Sequence, residues 1–146
     1  MTLKFIPLIA SLFLLSFVTM EHEPSEKKFN NLRLGPALLS VEVAETETDH
    51  YLGLSRRPAL CDNCGLLFVF GDSRHRTFVM REMNFDLDII WLDNKTIIAW
   101  AENLKPEAGP NYTLYSSPEK TDMVLEVNAG FVKKHKLKIG DKLSYE

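Results

Sequence analysis

The chain has 146 residues, 45% hydrophobic, 25% charged and 10% aromatic, with 7 Gly and 7 Pro. Those proportions exclude wholesale disorder, a collagen-like repeat and a multi-span membrane protein, and the length suits one domain with an ordinary core. Lys and Arg total 17 against 20 Asp and Glu, a balance with no clustered positive charge of the kind nucleic-acid binding needs.

At the amino terminus, Lys4 precedes an almost uninterrupted apolar run over residues 5–18, and Glu21, His22, Glu23 and Pro24 end it. A basic start followed by a short apolar stretch is the pattern of a secretory signal, and the run is shorter than the roughly 20 residues a stable span wants. No Ala-x-Ala follows it, so an uncleaved membrane anchor stays as the alternative. The expected organisation is a signal or anchor over residues 1–20, a polar linker over 21–36 and a single β-rich domain over 37–146. The expected address is exported: periplasmic, cell-surface or secreted, and touching a membrane only through residues 1–20.

Within the domain, Leu39, Val41 and Val43 alternate with Ser40, Glu42 and Ala44, the period of a half-buried strand. Thr46 followed three residues on by Asp49 predicts a capped helix start. That short helix should carry Tyr51, Leu52 and Leu54 towards the sheet before Pro58. Residues 66–70 read as a continuous apolar strand, with a turn at Gly71, Asp72 and Ser73 and a further strand over 77–80. Residues 87–92 and 96–101 flank Asp93, Asn94 and Lys95, the clearest hairpin in the chain because Asn tolerates a left-handed backbone. Residues 106–118 read as loop and 123–127 as strand. Asn128 should cap a short helix through about His135, and a last short strand follows Gly140 and Asp141. No strand–long helix–strand unit appears, so the expected fold is mainly β: a small, mostly antiparallel curled sheet or barrel of six to seven strands with two short helices.

The ordered motifs Gly53-Leu54-Ser55-Arg56-Arg57, Gly65-Leu66-Leu67-Phe68-Val69-Phe70, Phe78-Val79-Met80, Leu87-Asp88-Ile89-Ile90-Trp91, Tyr115-Ser116-Ser117, Leu125-Glu126-Val127-Asn128-Ala129-Gly130 and Gly140-Asp141 together resemble the domain-of-unknown-function family DUF192. The resemblance spans residues 39–143 and implies a small, exported, β-rich domain; it brings no activity with it. Two positions depart from the family's pattern. Val79 stands where an aromatic is usual, and Asp86 where Pro often precedes the Leu-Asp-Ile-Ile run, so a ligand rim there would be more acidic and less aromatic.

Several residues could carry chemistry. Cys61 and Cys64 form a Cys-x-x-Cys with three readings: a structural disulfide across a tight loop, a redox pair, which wants a helix start that the following strand does not supply, or half of a zinc site. A soft-metal (copper) site would join Cys61 and Cys64 with His75 and Met83, since thioether and thiolate select Cu(I); Met80, beside Phe78, reads as packing. Asp86 and Asp88 would share one strand face and could divide acid and base roles in a hydrolase, although a buried Asp88 would need pairing. Arg56, Arg57, Trp91, Trp100, Tyr112 and Tyr115 offer polar and aromatic surface for a ligand. The resulting expectation is a non-catalytic binding module of the bacterial cell envelope, monomeric and without cofactor. Its candidate ligand residues are Arg56, Arg57, Met80, Asp86, Asp88, Tyr115 and Ser116, and its partner is a small ligand or envelope component, not nucleic acid.

Overall fold

A computed structural model describes residues 29–146; the expected signal or anchor lies outside the described residues. Nine strands and two short helices follow in chain order: β1 Phe29–Leu34, β2 Ala37–Ala44, α1 Glu47–Leu52, β3 Cys64–Arg74, β4 Thr77–Phe78, β5 Leu87–Asp93, β6 Thr96–Leu104, β7 Tyr115–Ser116, β8 Thr121–Asn128, α2 Phe131–His135 and β9 Leu143–Tyr145. Seven strands form one curled sheet in the order β6-β5-β8-β3-β2-β1-β9, while β4 and β7 pair separately. Within the seven-stranded sheet every neighbouring pair is antiparallel except β2 and β3. The connection between those two parallel strands carries α1 and the cysteine loop. The mainly β, curled architecture is the one the sequence pattern predicts.

The central strands are buried on both faces, as their near-continuous apolar runs require. Leu67, Ile90, Leu92, Leu125 and Val127 face one cluster, shared with Leu32, Leu34 and α2's Phe131 and Val132. Leu66, Phe68, Ile89, Trp91 and Val124 face the other, closed by Leu54, Met80 and Met83. Trp91 therefore belongs to the core, while Trp100 packs half-buried against the first cluster. At the far end of the sheet the carboxy-terminal segment bridges its two edges. The Ile97 amide donates to the Asp141 carbonyl at 2.9 Å and the Leu143 amide to the Lys95 carbonyl at 2.8 Å, while β9 pairs with β1.

Besides β7, a strand inside the expected loop over 106–118, four elements differ from expectation. The chain enters the sheet inside the expected linker, because β1 alternates buried Leu32 and Leu34 with exposed Asn31 and Arg33 and finds ladder partners on both sides. Strand β3 runs through Gly71, Asp72 and Ser73 to Arg74 with a register shift between Val69 and Arg74; a bulged strand absorbs residues that in isolation favour a turn. Tyr51 and Leu52 are exposed and α1 buries nothing. Its capping box at Thr46 and Asp49 is present, but only Leu54, beyond the left-handed Gly53 (φ 50°), reaches the core. Asn128 does not cap α2, whose N-cap is Gly130; its side-chain amide donates instead to the Leu60 and Cys61 carbonyls.

Candidate functional site

Glu126 lies in the middle of β8, between Leu66 of β3 and Ile89 of β5, with Glu42 of β2 next along the same rung beyond Leu66. By the period of two it shares its face with Val124, so a carboxyl group projects where the pattern supplies apolar side chains. It is only 5% exposed, and its Oε2 has no hydrogen-bond partner. Gly53 lets the backbone after α1 pass close overhead: a Cβ there would stand 3.4 Å from Glu126 Oε2 and 3.3 Å from Phe68 Cζ.

Above Glu126 opens a cavity of about 490 Å³, within the roughly 300–1,000 Å³ of small-molecule sites. One wall is the end of α1 with residues 53–55, and the other is the outer half of β3 running on into β4. Aromatic rings line it: Phe68 and Phe78 meet edge to face at 5.0 Å, and His50 lies 4.6 Å from Phe70. His50 Nε2–H donates to the Ala44 carbonyl at 2.9 Å and His75 Nδ1–H to the Ser117 carbonyl at 3.1 Å; a carbonyl can only accept, which fixes the donating nitrogen in each ring.

Three arginines complete the lining. Arg76, 9% exposed, stacks its guanidinium 3.7 Å above the Phe70 ring. Its Nη2 donates to the Asp72 carboxylate at 2.5 Å and to the Asp72 carbonyl at 2.8 Å, but its buried Nε–H has no acceptor. Arg74 reaches the same Asp72 carboxylate at 3.3 Å. Arg81 lies 4.0 Å over the Tyr51 ring and donates to the Tyr51 carbonyl at 2.5 Å. Ser55 Oγ donates to the Arg81 carbonyl at 2.8 Å and the Arg56 amide to the Glu82 carbonyl at 2.8 Å, so the 53–57 and 81–84 segments clasp one another beside the cavity.

Burial pushes the Glu126 carboxyl up to about 8, against weaker downward pulls from the Leu54 backbone amide and the Arg57 guanidinium. Arg57 cannot do more because both its arms are held by Glu42, at 2.5 and 2.9 Å. At neutral pH the cavity floor is therefore an uncharged carboxylic acid, able to donate one hydrogen bond as well as accept, under a rim that carries positive charge.

Residues 31–145 match the DUF192 family, described as "Uncharacterized ACR". The chain belongs to that family. Two crystal structures share the fold of this DUF192 protein. One, from Sinorhizobium meliloti 1021 and provisionally named a transcription regulator, has a TM-score of 0.77 and 29% identity over 84% of this chain and 98% of its own. The other, a protein of unknown function from Novosphingobium aromaticivorans DSM 12444, has a TM-score of 0.76 and 26% identity over 84% of this chain and 89% of its own. No curated protein matches.

None of the predicted ligand residues of this DUF192 chain, Arg56, Arg57, Met80, Asp86, Asp88, Tyr115 and Ser116, lines the cavity. Arg56 pairs with Glu82 on the surface at 2.6 Å, and Arg57 with Glu42. Met80 is fully buried. Tyr115 and Ser116 are β7 and pair with Phe78 and Thr77, which places them behind the cavity wall. Asp86 pairs with Lys105. Asp88 is fully buried on the opposite face of the sheet, where its two oxygens accept the Asn103 and Val132 amides at 2.9 and 3.0 Å; it thereby supplies the cap that α2 lacks. Cys61 and Cys64 stand at disulfide distance from each other, with 5.1 Å between their Cα atoms, and neither is among the residues lining the cavity with His75 and Met83. Among the described residues no three His, Cys, Asp or Glu side chains are grouped to hold a metal ion. Sequence reasoning missed Glu126, Arg76 and His50. The available signal was Glu126 itself, a charge flanked by Val124, Leu125 and Val127 in a strand that reads as buried on both faces.

Proposed function

We propose that this DUF192 protein is a non-catalytic binding module of the bacterial cell envelope, working as a monomer, that takes a small ligand in the cavity above Glu126. The observation that carries the reading is the unpartnered Oε2 of a carboxyl buried at the floor of a 490 Å³ cavity. Leaving a buried polar atom unsatisfied costs about 1–3 kcal/mol, a cost that a bound partner would remove. Binding is favoured over hydrolysis because both oxygens of Asp88 are taken by backbone amides and Asp86 is paired with a lysine. The envelope address is supported by the basic-then-apolar start and by the Cys61–Cys64 disulfide, a bond that persists in oxidising compartments. The regulator name given to the S. meliloti neighbour invites a nucleic-acid reading, which a net charge of −3 does not favour.

Two measurements test the proposal. Alkaline phosphatase fused to the carboxy terminus of the full chain should be active, and inactive once residues 1–20 are removed; equal activity in both would refute the envelope address. In amide spectra of the full-length protein, compounds from a chemically mixed fragment set should shift Gly53, Leu54 and Phe70 together. A set that leaves all three unmoved would refute the binding site.

A further inference from the structure

The cavity places two buried groups with unmet hydrogen-bonding capacity around one space: Glu126 at the floor and Arg76 in the wall. An arginine Nε–H can only donate, so whatever satisfies Arg76 must present an acceptor. The lining adds Arg74 and Arg81, and its sole carboxyl is Glu126 itself; Asp72, outside that lining, offsets part of the positive charge. Phe68, Phe70 and Phe78 add apolar surface to the wall beside His50, His75 and Thr77. A cationic ligand would meet three guanidinium groups, and a purely apolar one would leave Arg76 unsatisfied. From this arrangement we infer that the ligand is a small organic carboxylate with an apolar body, its carboxylate accepting from Arg76 Nε–H while the body lies against the phenylalanines in the cavity above Glu126.

The inference rests on the proposed binding function and adds the ligand's chemical class. Its electrostatics are consistent: an N–H donated from a guanidinium to a carboxylate is a charge-assisted bond, strongest when desolvated. Titratable and charged groups reach the neighbourhood of Glu126 from every element around it. They are His50 and Tyr51 of α1, Arg57 bound to Glu42 of β2, and Arg74, His75, Arg76 and Arg81 along and beyond β3; β5 presents only Ile89 and Trp91. An anion bound beside Glu126 favours its protonated form, so the complex holds the proton that the free protein loses near pH 8.

The test uses the full-length protein with benzoate and hexanoate as probes, and benzamide and benzylamine as neutral and cationic bodies of matched shape. Both carboxylates should shift the Gly53, Leu54 and Phe70 amides and bind at least tenfold more tightly than either control. Their affinity should fall roughly tenfold between pH 7 and pH 9, as expected when binding requires a proton held with a midpoint near 8. Glu126→Gln, which keeps a donor at the floor, should retain binding at pH 7 and lose that pH dependence. Arg76→Lys, which keeps the charge facing Asp72 but removes Nε–H, should weaken benzoate about tenfold. If benzylamine or benzamide binds the cavity as well as benzoate does, the carboxylate inference is overturned while the binding function stands. If no probe of any class moves these amides, both fall. Should either variant fail to fold, the analogue series and pH profile of the unaltered protein decide the matter alone.

Discussion

Glu126 binds more protons folded than unfolded between its ordinary value of 4.5 and its folded value of about 8. Stability contributed by its neutral form is therefore present in acid, declines as pH climbs through that interval, and is flat beyond it. Glu126→Gln removes the penalty without changing the side chain's shape. Chemical denaturation should find the variant more stable than the parent by about 4 kcal/mol at pH 8.5 and nearly equal to it at pH 4.5; an equal gain at both would contradict the neutral carboxyl. Asp88, also buried, differs in that both its oxygens accept backbone amides. Asp88→Asn turns an NH₂ group towards one of those N–H donors and should cost about 1–3 kcal/mol. Asp86→Asn loses only a partly exposed pair with Lys105 and should cost less than about 1 kcal/mol. Thermal melts of the two variants side by side give the comparison.

Among the elements, the β5–β6 hairpin shows how local chemistry reaches the fold. Asn94 and Lys95 both adopt positive φ, 47° and 62°, the backbone of a tight turn that matches strand twist. Asn tolerates that region and Lys does so at a cost. Lys95→Gly should thus stabilise the protein by a few tenths to about 1 kcal/mol, less what is lost with the Lys95–Tyr145 cation–π contact; denaturant midpoints read the difference. This hairpin and the Thr46–Asp49 capping box were legible because each depends on residues adjacent in the chain. What could not be read depends on partners far away. Strand β1 looks polar until β2 and β9 flank it, and Tyr115–Ser116 becomes a strand only beside Thr77–Phe78. The same holds for the site. Residues 50–55, 68–70 and 74–83 share no period and meet only because β2 and β3 run parallel with α1 crossing between them. Glu126 alone stands out in the sequence, as a charge inside an apolar run, but the paired carboxylates Asp86 and Asp88 suggest chemistry more readily than a single one.

At the scale of the whole molecule, the carboxy-terminal segment determines whether the sheet has open ends. Gly140 to Leu143 bond to β6 while Leu143 to Tyr145 pair with β1, so one short stretch guards both edges. Ending the chain after Ile139 would uncover the β1 ladder and remove buried Leu143. Exposed edge strands template pairing with other chains, so the truncated protein should elute as higher oligomers in size-exclusion chromatography where the parent elutes as a single species. A monodisperse truncation product of unchanged melting temperature would show that β9 is dispensable.

The two faces of the sheet also divide their duties. On one, Asp88, α2 and a mostly aliphatic set of side chains secure the architecture. On the other, apart from Glu126, the polar cavity walls come from connecting segments and strand ends beyond the central ladders. Under the proposed binding function, replacements among His50, Arg74, His75 and Arg81 would alter recognition while leaving the side chains of both core clusters in place. If the cavity binds as proposed, a scaffold so partitioned would let selectivity drift while the framework endures, and would let an engineer redirect the mouth without rebuilding what lies beneath.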